Sequence, residues 1–274
     1  MLAKLSALAR NLTHPAPSLT GRLPYPHVDL FHWSPSDGSI NFGDRLSDIV
    51  TRQMLAFHGL SLDDQVADPA RLLAIGSILH FAQTGDNVWG SGWNGKIPEK
   101  EFTAKDLKVH AVRGPLTAEF LRKRGIVVPD VYGDPALLLP YIFKNSFTVT
   151  GKTDYAVVPN LHDLSLVSNH PKLISPLWGW NIVIQKILQA KFVLASSLHG
   201  LIIAEAFGIP ARYVRLSQTE DLFKYKDYYF GSGRTEAEFQ FAHTLEEGLE
   251  MGGAPAIRYD HTALMYAFPL ELWN

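Results

Sequence analysis

The sequence predicts an α/β protein built from two doubly wound parallel sheets that face a cleft. Three observations carry the prediction. Short apolar runs stop abruptly at clusters of glycine, serine, arginine or histidine, the signature of strands buried on both faces. Helical apolar periodicity follows several of these runs, as a parallel crossover requires. The pattern occurs on both sides of a polar, weakly periodic stretch at 145–154. That stretch divides the chain into units of residues 1–148 and 149–274.

In order, His27–Trp33 alternates as a first strand, and Ser34–Gly43 is a polar loop. Arg45–Gly59 is helical through Leu46, Ile49, Val50, Met54 and Phe57, and Gly59 stops it. Strands follow at Leu72–Ile75, Asn87–Trp89 and Lys108–Val112. Pro115–Arg124 reads as a helix with proline in its first turn, stopped by Gly125. Val127–Pro140 closes the first unit. The second unit opens with a strand at Tyr155–Val158, a helix at Leu177–Ala190, a strand at Phe192–Ala195 and a helix at Leu201–Phe207. A strand at Ala211–Leu216 and helices at Thr244–Met251 and Thr262–Phe268 complete it, the last helices packing back on the first unit.

The composition is that of an ordinary globular protein: 274 residues, 46% hydrophobic and 19% charged, with a formal net charge of −2. No basic tract points to nucleic acid. The absence of cysteine excludes disulfides, thiolate catalysis and cysteine-ligated metals, and fits a reducing cytoplasm. No apolar run is long enough to cross a bilayer, and Met1–Leu12 does not have the make-up of a signal peptide. Leu2, Leu5, Leu8 and Leu12 fall at helical spacing with Lys4 and Arg10 between them. They read either as a packed N-terminal helix or as one lying on a membrane surface.

Polar clusters share one placement, just beyond predicted strands, where open α/β sheets bind ligands and helix N-termini favour anions. Asn41-Phe42-Gly43-Asp44 lets backbone approach a ligand, and Asp44 reads as an N-cap, compatible with ligand contact. Gly76-Ser77 and Gly90-Ser91-Gly92-Trp93 either make tight turns or leave room for substrate. Trp93 would stack on a sugar ring, whereas Trp89 reads as core. Arg113, before Gly114-Pro115, is placed to clamp a phosphate or carboxylate, or to pair with an acid such as Asp134. Asp134-Pro135 is a turn signal, and Asp134 would orient Arg113 or a substrate hydroxyl. Ser196-Ser197-Leu198-His199-Gly200 sets a histidine beside a helix start, with Glu205 further along the helix. His199 is the candidate for proton transfer. His162-Asp163 follows a strand and would line the cleft. The remaining histidines are scattered, no metal-ligand pattern occurs, and no phosphate-binding glycine loop appears.

Taken together and in order, Asn-Phe-Gly-Asp at 41–44, Gly-Ser at 76–77, Trp-Gly-Ser-Gly at 89–92, Val-Arg-Gly-Pro at 112–115, Gly-Asp-Pro at 133–135 and Ser-Leu-His-Gly at 197–200 resemble the polysaccharide pyruvyl transferase family. The likeness is greatest to bacterial exopolysaccharide ketal-pyruvate transferases, including the xanthan type. The resemblance implies two Rossmann-like domains in a GT-B-like arrangement and no cofactor. It implies phosphoenolpyruvate as donor and, as acceptor, two hydroxyls of a sugar, a terminal mannose or similar hexose, lipid-linked or polymeric. The work would lie in the cytoplasm or at the inner face of the cell membrane. Arg113 would hold the donor and His199 would be acid or base. Asn41, Gly43, Asp44, Gly76, Ser77, Gly90, Ser91, Gly92, Trp93, Asp134, Ser196, Ser197, Gly200 and Glu205 would line the substrate site. Some family members carry arginine where this chain has Ser197. That leaves a second anion contact to Lys191, Arg212 or Arg215. The competing readings are a sugar-nucleotide glycosyltransferase of similar architecture and a two-lobed anion- or carbohydrate-binding protein.

Overall fold

The computed structural model describes residues 28–63, 69–255 and 257–273. The leucine-spaced segment 1–12 lies outside them. All strands of both sheets run parallel. The first sheet joins β1 (Val28–Phe31), β2 (Ala70–Leu73), β3 (Asn87–Trp89) and β4 (Lys108–Ala111) in chain order. The second joins β5 (Ala156–Val158), β6 (Val193–Ala195) and β7 (Ala211–Tyr213), again in chain order. The expected parallel α/β sheets are present. The named strands progress in one direction, with no reversal in the first sheet. Only a single parallel bridge, Leu173 to Val157, adds a reversal in the second. It makes the space beyond β5 and β6 a topological switch point.

The helices begin where local chemistry caps them. α1 (Phe42–Phe57) is capped by Asn41, whose side chain accepts from the Gly43 amide at 3.1 Å. Asp44 lies in its first turn, which corrects the N-cap reading of that residue. Leu46, Val50 and Met54 form its buried stripe. α2 (Pro115–Arg122) starts at its proline. The segment 127–140 forms no full strand. Tyr132 makes one bridge to Val112, and Asp134 caps a short 3-10 turn at Pro135–Leu138, followed by α3 (Leu139–Ile142). α4 (Trp180–Ile187) begins after Gly179, later than its apolar pattern suggested. α5 (Leu198–Ala206) begins earlier than expected, because the Ser197 hydroxyl accepts from the Gly200 amide at 3.2 Å. His199 is thereby placed inside the first helical turn rather than in a loop.

Sequence periodicity did not reveal α6 (Phe223–Gly231), whose buried side chains are tyrosines and an aspartate rather than an aliphatic stripe. α7 (Leu245–Met251) and α8 (Thr262–Tyr266) close the chain. One apolar core runs through both sheets, from Val28, Leu46 and Trp89 to Val158, Leu201 and Tyr225. The Trp89 indole donates to the Leu264 carbonyl at 2.9 Å and meets Phe268 edge-on, so the C-terminal segment rests on the first sheet. A second cluster, around Trp93 and Phe120, covers Val88 and Val112. No described helix is long and apolar enough to cross a membrane.

Candidate active site

A cavity of about 360 Å³ opens where the N-termini of α1 and α5 meet. Asn41 and Asp44 come from the first helix, and Ser197, Leu198 and His199 from the second. Ser77 enters beyond β2. Asn160 and His162 enter beyond β5, Glu220 from the approach to α6 and Lys224 from its first turn. Helix N-termini carry positive partial charge and unsatisfied amides, so this convergence favours an anion before any side chain is counted. The Ser197 cap occupies the Gly200 amide and leaves the first-turn amides of Leu198 and His199 outside that bond.

Two lysines add formal charge. Lys224 donates to Glu220 at 2.6 Å and Lys96 to the other Glu220 oxygen at 3.1 Å. Burial, with the charges of Lys96 and Arg113, holds the Lys224 ammonium below its ordinary pKa against the opposing pull of Glu220. Two cations share one carboxylate, so the cavity retains positive charge. Sequence reasoning missed both lysines and Glu220. They lie on segments without a strand-end motif. It proposed Lys191, Arg212 and Arg215 instead, but Lys191 pairs with Asp154 at the surface and none of the three lines this cavity. His80, one of the scattered histidines, lies on the wall, hydrogen-bonded to Asn94 at 3.2 Å. His162, expected at the cleft, is there.

The titrating groups are unusually placed. Burial is the main cause holding the His199 imidazole down at about 3, with the charges of Lys224 and Arg113 adding to it. Burial raises the Asp44 carboxyl to about 7, with Lys224 opposing. It likewise raises Asp134 to about 6, against the Ala136 amide and Arg113. His199 Nε2 and Asp134 Oδ2 face each other at 3.8 Å, and both atoms are buried without a hydrogen bond. The other imidazole nitrogen lies against Gly43. A Cβ there would sit 2.3 Å from His199 Nδ1, so only glycine lets α1 and α5 approach this closely.

Other residues singled out in the sequence stand behind the cavity and build its walls. Arg113 does not line it. The guanidinium is fully buried and donates from Nε to Asp227 at 3.0 Å, from Nη1 to Ser77 at 2.5 Å and from Nη2 to the Trp93 carbonyl at 2.6 Å. Its ionic partner is Asp227, not Asp134. Asp227 also accepts from the amide and hydroxyl of Thr117, tying α6 to α2. Gly92 makes room for this arginine, since a Cβ would fall 2.4 Å from its Cζ.

Trp93 stacks on Phe120 in the core, so the aromatic side chains at the cavity are Trp33 and Phe81 instead. Ser91 donates to the Gly76 carbonyl, and Ser196 receives the Asn160 amide. Gly76 lies over Asp44 and Ile78, Gly90 against Pro135, and Gly200 against Val158. Glu205 points elsewhere, held at both oxygens by Arg234. No group of metal-binding side chains occurs among the described residues.

With this geometry in view, comparison with known proteins is specific. A family model for polysaccharide pyruvyl transferase matches residues 24–218. Succinoglycan biosynthesis protein ExoV of Rhizobium meliloti (strain 1021) is 30% identical over 213 residues, covering 72% of this chain and 63% of that protein. The uncharacterized protein L143 of Acanthamoeba polyphaga mimivirus is 24% identical over 170 residues, covering 56% of this chain and 57% of its own. The chain thus matches under two thirds of the length of both relatives.

Proposed function

The chain belongs to the polysaccharide pyruvyl transferase family, and on that premise we propose that it transfers a pyruvyl group from phosphoenolpyruvate to two hydroxyls of one sugar in an exopolysaccharide repeat unit. The observation that carries the reading is the cavity itself. Two helix N-termini and two lysines converge beside a neutral imidazole and a carboxyl that keeps its proton near neutrality.

The donor brings a phosphate and a carboxylate. Lys224, Lys96 and the first-turn amides of α5 neutralise them without a metal. Ser77 and Asn41, both lining the cavity, orient them. Arg113 contributes by fixing Ser77 rather than by clamping the donor. Trp33 and Phe81 offer apolar faces for the acceptor ring.

The proton inventory follows from the shifted groups. Asp44, still protonated near pH 7, donates to the methylene carbon of the enol and leaves an oxocarbenium-like centre at the adjoining carbon. A sugar hydroxyl attacks that carbon and gives its proton to neutral His199. The Asp134 carboxylate selects the tautomer with the proton on Nε2, once the 3.8 Å gap closes by about 1 Å. Nδ1, beside Gly43, is then the proton acceptor. The carbon–oxygen bond to phosphate breaks. A second hydroxyl of the same sugar closes the ketal, and its proton leaves with the phosphate. One donor and one diol give one ketal and one inorganic phosphate, and passing the proton held by His199 back to Asp44 restores both groups.

We read the two parallel sheets as Rossmann-like units in a GT-B-like arrangement, with the boundary near residue 148. A terminal mannose or similar hexose is the acceptor we favour, and the inner face of the cell membrane the place of work. The test is to incubate the full chain with phosphoenolpyruvate and a β-mannoside, following phosphate release and acceptor mass. Gain of one ketal-linked pyruvate per phosphate released supports the proposal. Thermal stabilisation by a sugar nucleotide alone, with no response to phosphoenolpyruvate, would move the assignment to a glycosyltransferase. A correctly folded His199→Ala protein with undiminished turnover would remove the imidazole from the mechanism.

A further inference from the structure

A second cavity, of about 510 Å³, lies past the opposite end of α6. Lys224 marks the first cavity near the start of that helix, whereas Ser232–Arg234 line the second beyond its end. The nine residues of the helix span about 13 Å. Three arginines surround the space: Arg212 from β7, Arg234 just past α6, and Arg258 on the way to α8.

Arg212 is the informative one. It is 8% exposed, yet no carboxylate among the described residues pairs with it. The Gly252 carbonyl accepts from Nε at 2.9 Å and the Gln240 carbonyl from Nη1 at 3.1 Å. Two carbonyls hold Nε and Nη1 of the guanidinium but leave its charge uncompensated, and arginine has no neutral form to retreat to. Its Nη2 makes no hydrogen bond among the described residues.

Arg234 is rigidly held. It donates from Nη1 and Nη2 to the two Glu205 carboxylate oxygens and from Nε to Ser232 at 3.0 Å, and it stacks on the Tyr229 ring at 3.6 Å. Arg258 is exposed at the rim and forms no ion pair among the described residues. The acids at hand are Glu205, taken by Arg234, and Glu238, whose Oε2 is taken by the amide and hydroxyl of Thr235. Against three guanidinium groups the two carboxylates leave one positive charge over.

We propose that this cavity binds the phosphate group of a sugar-sized phosphorylated ligand, with Arg212 and Arg258 as the receiving pair. A guanidinium held at Nε and Nη1 keeps Nη2 to donate to a phosphate, and Arg258 brings the second cationic donor. The volume exceeds what a bare phosphate fills, and Ile257 and Pro255 supply an apolar wall for the attached ring. The site does not depend on the pyruvyl transfer reading.

The test is calorimetric titration of the full chain with glucose 1-phosphate, with glucose and inorganic phosphate as separate probes. Glucose 1-phosphate is expected to bind, inorganic phosphate more weakly and glucose not at all. Arg258→Ala, at an exposed position that leaves the fold intact, is expected to weaken glucose 1-phosphate about tenfold or more, as loss of a charge-assisted contact does. Arg212→Lys, which keeps charge but loses the planar group anchored by the two carbonyls, is expected to weaken it similarly. Should that variant fail to fold, Arg258→Ala decides alone. Lys224→Met, at the other cavity, is expected to leave this binding unchanged. Absence of saturable binding, equal affinity in the arginine variants, or loss of binding in Lys224→Met would each overturn the proposal.

Discussion

Replacing Asp227 by Asn keeps the shape of the side chain and removes its charge, so Arg113 becomes a buried cation without a counter-ion. Both side chains are fully buried, with Nε and Oδ2 3.0 Å apart. Removing one partner of such a pair costs about 3–5 kcal/mol, most of it the desolvated charge left behind. A protein of this size has roughly 5–15 kcal/mol in all, so the loss is a large share. At about 2–4 °C per kcal/mol, the melting temperature is expected to fall by about 6–20 °C. The assay is urea unfolding of wild type, Asp227→Asn, Arg113→Met and the double variant. Because the double variant no longer buries an unpaired charge, it is expected to be more stable than the sum of the singles by about 1–3 kcal/mol. A destabilisation under about 1 kcal/mol in Asp227→Asn, or additivity across the cycle, would refute the argument that this pair holds α6 against α2 and steadies Ser77.

Four further outcomes concern the cavity. Because the folded Asp44 carboxyl titrates at about 7 and must be protonated to act, turnover is expected to fall about tenfold per pH unit above that value, and Asn at this position to cost about 10²–10⁴ in turnover and to abolish that limb. The same raised pKa makes the folded state the better proton binder, so its contribution to stability is present below about pH 4 and lost as pH rises through about 7, and the Asn variant lacks that slope in unfolding measurements. Lys224→Met is expected to raise the Michaelis constant for phosphoenolpyruvate about 10- to 150-fold, the range for a lost charged hydrogen bond, in phosphate-release kinetics. Gly43→Ala is expected to displace the His199 ring, since the new methyl would lie 2.3 Å from Nδ1, and to lower turnover far more than it lowers melting temperature; undiminished turnover would show that the helix contact is free to relax.

Local pattern was a sound guide to the parallel strands because buried strands must be apolar and must end where the chain turns polar. β3 and the starts of β4 and β7 lie where the pattern put them, while α5 starts three residues earlier than the apolar period, at its Ser197 cap. The serine carries that signal, but it competes with the strand-end reading of the same residue. α6 left no aliphatic period, since it buries Tyr225, Asp227, Tyr228 and Tyr229.

The sequence by itself marked Asn41, Asp44, Ser77, Ser197 and His199, which the structure brings to one cavity, because strand ends and helix caps are written in neighbouring residues. Only the tertiary structure decided their company. Arg113 and Asp227 are 114 positions apart, and His199 meets both Gly43 and Asp134 across the core. Burial then decided charge state. The side chain alone makes Asp44 an ordinary carboxylate and His199 a group titrating near neutrality. Desolvation where two helix ends meet keeps a proton on the first and off the second.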